Sequence, residues 1–202
     1  MTPIDFSRSH AGRVEPETAD WVRRAREGDR GAFDLLVRQH ERMVLRTALR
    51  MLARLDQAED AAQETFLRLH KYLSRFDESR ELGPWLHRMA VNVCHDIASR
   101  SRRGVVVPLE EAESAPRGAA PGGQQDIEEA VARDERRRLV QAALSTLPER
   151  ERAAIVLRDI EGLSSPEVAR ILGSSEGTVR SQVASARLKI KRFIEARQEQ
   201  KP

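Results

Sequence analysis

Little in this 202-residue chain could build a sheet, a redox centre or a membrane span. Aromatic residues make up 4% of it, and the one β-like run, Val105-Val106-Val107, is cut short by Pro108. A β-sandwich or an α/β enzyme would show alternating runs of Val, Ile and Tyr. A single cysteine, Cys94, leaves no internal disulfide and fits a reducing compartment. No run is long and apolar enough to cross a bilayer, and MTPIDFSRSHAGRVEPET lacks the apolar centre of a signal peptide. These absences predict a cytoplasmic protein without membrane insertion. The histidines at 10, 40, 70, 87 and 95 keep no ligand spacing with one another or with Cys94. There is no Gly-rich phosphate loop, nucleophile elbow or paired-acid site, so no catalytic residue, metal or cofactor is expected and the chain does not read as an enzyme.

Charge and helical periodicity are what the chain has. Charged residues make up 33% and hydrophobic ones 40%, a balance that suits helical modules with thin cores. The net charge of +3 is unevenly spread: residues 18–103 carry +4, 104–126 carry −3 and 127–202 carry +3. Two basic blocks around an acidic stretch suit two nucleic-acid-facing modules on a tether.

Residues 1–17 read as a polar tail. A helix from about Thr18 to Glu27 stops at Gly28-Asp29. A long one follows, with Phe33, Leu36, Val37, His40, Val44, Ala48, Met51, Leu52 and Leu55 on one face and a break at Leu55-Asp56. In DQAEDAAQETFLRLHKYLSRF the buried face is Ala58, Ala61, Ala62, Thr65, Phe66, Leu69 and Leu73. After the loop DESRELGP, Pro84 starts a helix that buries Leu86, Met89, Ala90, Val93 and Ile97. Residues 104–126, rich in Pro, Gly and acids, form a flexible acidic linker. Helix resumes near Ile127 and breaks at Leu147-Pro148. The predicted fold is all-α: a bundle over 18–103, the linker, a bundle over 127–196 and a tail over 197–202.

The second bundle contains the most telling stretch, LSSPEVARILGSSEGTVRSQVASARLKIKRF. Ser164 with Glu167 fits a capping box, Gly173 suits a left-handed stop, and Ser174 or Ser175 can cap the next helix. That helix turns Val179, Val183, Ala186, Ile190 and Ile194 inward and offers Thr178, Arg180, Ser181, Gln182, Ser185, Arg187, Lys189 and Lys191 elsewhere. The pattern is that of a helix-turn-helix. Spacing alone leaves DNA binding and a plain solvated hairpin equally open.

Three stretches in register resolve this by resemblance: QAEDAAQETFLRLHKYLSRFD, GPWLHRMAVNVCHDIASRSRR and LPERERAAIVLRDIEGLSSPEVARILGSSEGTVRSQVASARLKI. Together they resemble an extracytoplasmic-function sigma factor of the sigma-70 family, with regions 2 and 4 over about 18–103 and 127–196. The resemblance implies a transcription initiation factor that binds RNA polymerase core at its clamp and flap and recognises −35 and −10 promoter DNA. It also implies promoter melting and restraint by an anti-sigma factor. Asp60, Gln63, Glu64 and Leu67 match the part of region 2 that faces the clamp, and Phe66 reads as core.

Asn92 matches the asparagine near a pocket for a flipped −10 base, and an amide can pair with a base edge. The loop Phe76 to Gly83 would wall that pocket, and Asp96 sits one turn beyond Asn92. Trp85 reads as a structural cap of the bundle. Arg88, Arg100, Arg102 and Arg103 suit phosphates, with a solvated face as the rival reading for the last three. For the −35 element, Thr178, Arg180 and Ser181 fit the family's pattern well. Gln182, Ala184 and Ser185 stand where many members carry larger basic or aromatic residues. Arg187 reads equally as a phosphate contact or an intramolecular brace.

Two rivals stand beside this expectation. An ordinary helix-turn-helix regulator would need a dimer and a palindromic site, and it leaves DAAQETF and WLHRMAVN unexplained. A sigma mimic that binds only an anti-sigma protein would be expected to lose the basic recognition helix.

Overall fold

The computed structural model describes residues 16–78, 80–103 and 124–199. Residues 1–15, most of the expected linker, the C-terminal tip and the side chains of Arg102 and Arg103 lie outside the described residues. Every regular element among them is helical: α1 Pro16–Arg26, α2 Arg30–Leu52, α3 Leu55–Tyr72, α4 Leu82–Arg103, α5 Gln124–Ser145, α6 Glu149–Ile155, α7 Ser165–Leu172 and α8 Glu176–Glu199.

Local chemistry sets the breaks. Asp29 caps α2 by accepting from the Ala32 amide at 3.1 Å. Ala53 ends that helix at φ 63°, a left-handed conformation uncommon outside glycine. The break falls earlier than Leu55-Asp56, and Asp56 does not cap α3. Arg54 holds that place, and its guanidinium bonds Asp56 in the first turn at 2.8 Å. A short 3-10 turn, Leu73–Arg75, leads from α3 toward α4, whose first turn includes Pro84. Helix α5 begins at Gln124, slightly earlier than expected.

Most of the faces read from periodicity are buried as expected, but Leu55, read onto the face of the long helix, opens α3 instead and is 39% exposed. Leu36, Val44, Leu69, Leu73, Leu82, Leu86 and Ala90 form one core with Val22 of α1. Leu144, Leu147, Ile155, Val156 and Ala186 form another within α5–α8. A third core crosses between the two groups of helices. It joins Ala48, Met51, Ala58, Ala61, Val93 and Cys94 to Ala153, Ala154, Leu157, Val168, Ile171, Val179 and Val183.

Polar contacts seal the same seam. Carbonyls of the last turn of α2 take part, the Leu49 one while also accepting from the Ala53 amide at 2.9 Å. Gln141 donates to the Leu49 carbonyl at 3.1 Å and Arg152 to the Met51 carbonyl at 2.7 Å. Glu161, its side chain 8% exposed, pairs with Arg50 and accepts from the Thr47 hydroxyl at 3.4 Å. The modules read from the sequence as tethered are therefore packed on each other in this structure.

Between α6 and α7 lies a π-helical turn, Val156–Ile160, in which the Glu161 amide reaches back to the Val156 carbonyl at 2.9 Å.

Candidate functional site

Helix α3 buries Ala58, Ala61, Thr65 and Leu69, which leaves the opposite face to solvent. Asp60, Gln63 and Leu67 lie on that face at helical spacing, and Leu67 is 59% exposed. An exposed leucine thus stands beside acids and an amide on one helix face. Phe66 turns the other way and packs on the core, as read from the sequence.

Glu64 belongs to the same face but is engaged. Arg68, a residue the sequence reading passed over, donates to Glu64 at 2.8 Å and to Asp96 on α4 at 3.0 Å. Those hydrogen bonds, Glu64's first, raise the guanidinium's pKa against the opposing effect of burial. Asp56, Asp60, Glu64 and Asp96 line one open cleft around Arg68. The expected clamp face and the expected −10 face are thus physically linked.

On α4, Arg88, Asn92, Asp96 and Arg100 follow at one-turn intervals and form an exposed stripe opposite Leu86, Ala90 and Val93. Arg100 folds back to the Asp96 carbonyl at 3.3 Å. Phe76, expected among the −10 contacts, is a correction. It is 7% exposed, and its ring stacks on Trp85 with centroids 5.1 Å apart. The aromatic pair closes the end of the core, so the loop can offer only its outer edge.

The helix-turn-helix is built as its residues dictate. The Ser164–Glu167 capping box is formed, Gly173 ends α7 at φ 60°, and the Ser175 hydroxyl caps the Thr178 amide at 3.1 Å. With Val179, Val183 and Ala186 buried, Thr178, Arg180, Ser181, Ala184 and Arg187 are exposed. Arg180 pairs with Glu176 at 2.9 Å and has 70% of its side chain exposed.

Two expected −35 residues face elsewhere. Gln182 is half-buried with its amide oxygen enclosed, and Ser185 donates to Glu151 at 3.1 Å. Both sit on the flank of α8 that meets its own bundle, a consequence of helical phase. Arg187 is braced: it grips both oxygens of Asp159 at 2.7 Å, which raises its pKa first through the hydrogen bond and then, after burial's opposing effect, through charge. Leu188 is a residue the sequence reading missed. It is 50% exposed beside Ala184, and its place outside the Val179-Val183-Ala186-Ile190 register could have revealed it.

Among the described residues no group of three or more His, Cys, Asp or Glu could hold a metal, and no helix is long and apolar enough to cross a membrane. Burial pushes the Cys94 thiol up to about 12, and the nearby Glu149 carboxylate adds to it.

Known proteins match this arrangement along most of the chain. The family model for sigma-70 region 2 matches residues 36–104, and that for sigma-70 region 4 matches residues 137–190. The ECF RNA polymerase sigma factor SigM of Mycobacterium tuberculosis (strain ATCC 25618 / H37Rv) is 36% identical over 183 residues, 91% of this chain and 87% of its own. The RNA polymerase sigma-H factor of Pseudomonas aeruginosa PAO1 is 33% identical over 177 residues, 86% of this chain and 92% of its own. Among solved structures, CnrH in complex with the cytosolic domain of CnrY aligns at 25% identity with a TM-score of 0.64, over 90% of this chain and 99% of that one. The sigma factor RpoE, crystallised with the anti-sigma factor NepR from Bartonella quintana, aligns at 23% identity with a TM-score of 0.62, over 81% of this chain and 96% of that one, a likeness of fold. With both sigma regions in order and a third of its residues shared with named members, the chain belongs to the extracytoplasmic-function sigma factors of the sigma-70 family, which are transcription initiation factors rather than enzymes.

Proposed function

We propose that the chain docks on RNA polymerase core through the α3 face, reads −10 DNA with the α4 stripe and reads −35 DNA with α8. The observation that carries this is the exposed Leu67 with Asp60 and Gln63, one helix away from the bare Arg88-Asn92 stripe. Opening a duplex loses about 1.4 kcal/mol of stacking per step, so a trap for unstacked bases must return comparable energy. Base-edge hydrogen bonds from Asn92, beside a pocket walled by the outer edge of the 76–83 loop, are suited to that task. Arg88 and Arg100, with Arg102 and Arg103 next in the chain, supply charge for the flanking phosphates.

On the −35 side, Arg180 can take guanine bidentately, worth about 1–3 kcal/mol of discrimination. Ser181 and Thr178 add hydroxyls. Ala184 is too short for deep base edges, so it and the adjacent Leu188 suit thymine methyl groups. The two elements lie about 25 base pairs apart by their names, roughly 85 Å along the duplex. Bundles that share a core cannot span that distance, so the seam must part on polymerase. An anti-sigma factor is the partner suited to holding it shut, given the likeness over both bundles to CnrH in its CnrY complex.

The test is transcription by bacterial core polymerase from a −35/−10 promoter. Activity that requires both this protein and core, and falls at least tenfold in Asn92→Ala and Arg180→Ala, supports the proposal. A shift of palindromic DNA without core would instead favour the ordinary regulator, and binding of a protein partner alone would favour the mimic.

A further inference from the structure

The segment that joins α3 to α4 carries Asp77 and Ser79 as turn-forming residues in its sequence, with Gly83-Pro84 only at its far end. Residues 73–82 read LSRFDESREL and contain neither Gly nor Pro. The 3-10 turn satisfies the Leu73 carbonyl once, from the Phe76 amide at 3.1 Å, and a second donor to the loop backbone fixes it further. That donor comes from α1, about fifty residues earlier in the chain. The Arg26 guanidinium donates through Nε to the Leu73 carbonyl at 3.0 Å, through one terminal nitrogen to the Phe76 carbonyl, and pairs with Glu78 through the other. Its side chain is 24% exposed, sheltered against the turn it holds.

We propose that Arg26 is a positioning residue for −10 recognition: it fixes the register and tilt of the 76–83 loop, and so the shape of the wall that a flipped base meets. This rests on the reading of that loop as the pocket wall. Three features carry it. The loop is clamped from two sides, by the buried Phe76 ring against Trp85 within and by Arg26 on the backbone without. Among the described residues of the loop, Asp77, Glu78 and Arg80 are the exposed ones. Asp77 and Arg80 are paired at 3.2 Å, their side chains 54% and 71% exposed, and the Arg80 amide closes a turn on the Asp77 carbonyl at 3.0 Å. Finally, the clamp needs a planar fork. Arginine can serve two carbonyls and a carboxylate at once, whereas a lysine ammonium is a point charge that cannot reproduce that geometry. Arg26 itself is engaged with protein on all its nitrogens and touches no base. Its effect passes through the loop.

The experiment uses the full chain with core polymerase and a promoter set carrying each of the four bases at every −10 position. Arg26→Lys and Arg26→Ala should bind core within about twofold of the parent. Their preference for the best over the worst base at the flipped position should fall about tenfold, the scale of one good base contact. Glu78→Gln removes only an exposed loop partner and keeps the fold safe, and it should shift the same profile in the same direction by a smaller factor. Fluorescence of 2-aminopurine at the flipped position should fall in parallel.

Activity that drops equally on all bases, with the profile intact, would overturn the inference and leave Arg26 as a fold contact. So would recovery of the full profile by Arg26→Lys. Asn92→Ala run alongside separates the two ideas. If its profile changes and that of Arg26 does not, this inference alone fails. If neither changes, the −10 reading fails and takes the inference with it.

Discussion

Removing the Glu161 carboxylate should let the two bundles separate, and the single cysteine should report it. Glu161 is 8% exposed and neutralises Arg50, which is itself 26% exposed. Stripping one partner from a buried ion pair is worth about 3–5 kcal/mol of destabilisation. Arg50 can turn partly to water, so about 2 kcal/mol is the reasonable scale for Glu161→Ala. At a factor of ten per 1.4 kcal/mol, the open form should become roughly 30-fold more populated. Cys94 is 1% exposed within the shared core, and its thiol is pushed up to about 12. At pH 8 only about one thiol in ten thousand would ionise while the seam is shut, against about a quarter for an ordinary cysteine. When closing outpaces labelling, the rate follows the open population. Ellman's reagent should therefore modify Glu161→Ala roughly 30-fold faster than the parent. An unchanged rate would refute the latch. A rise matched by an equal loss of global stability in urea would refute it too, because the thiol would then be reached by unfolding.

Two further outcomes follow from the charged groups. Burial, with His40 and Arg50 nearby, lowers the His87 pKa to about 4, and the ring sits 3.4 Å from the Thr47 hydroxyl. Because the folded value lies below the unfolded one, stability is full above about pH 6.5 and is lost as pH falls toward 4, by about 1.4 kcal/mol per unit. Melting curves at pH 7, 6 and 5 should show this slope in the parent and a flatter one in His87→Gln. Arg187→Ala removes a bidentate pair that is 64% exposed on the arginine side, so the stability loss should stay below about 1 kcal/mol. If Arg187 serves as a brace, the salt dependence of DNA binding should be unchanged in that variant, whereas loss of a phosphate contact would lower the slope by about one.

Much of the local architecture was legible because it is written in nearby residues. Ser164 with Glu167, Gly173, and the apolar periodicities of α3 and α4 each specify structure within a turn or two, and each formed as read. The seam was not legible. Many of its residues are small, such as Ala48, Ala58, Ala61, Ala153 and Ala154, and an alanine stripe does not say which helix it meets. Arg50 and Glu161 lie 111 residues apart, and no spacing rule connects them. Arg26 was hidden for the same reason: on α1 it reads as one more surface arginine. Gln182 and Ser185 were assigned by motif position, while helical phase turns them toward their own bundle. Phe76 was placed on the pocket wall by its loop, but its apolar area is worth more in the core than at the surface.

The π-helical turn after α6 has a consequence for how a substitution would be felt through this protein. It presents two carboxylates only two residues apart, and they point in different directions: Asp159 holds Arg187 on α8, and Glu161 holds Arg50 on α2. One short, non-standard turn thus grips both the helix proposed to read DNA and the helix that closes the molecule. A substitution within this turn should therefore be felt at both ion pairs, one on each of the two helices.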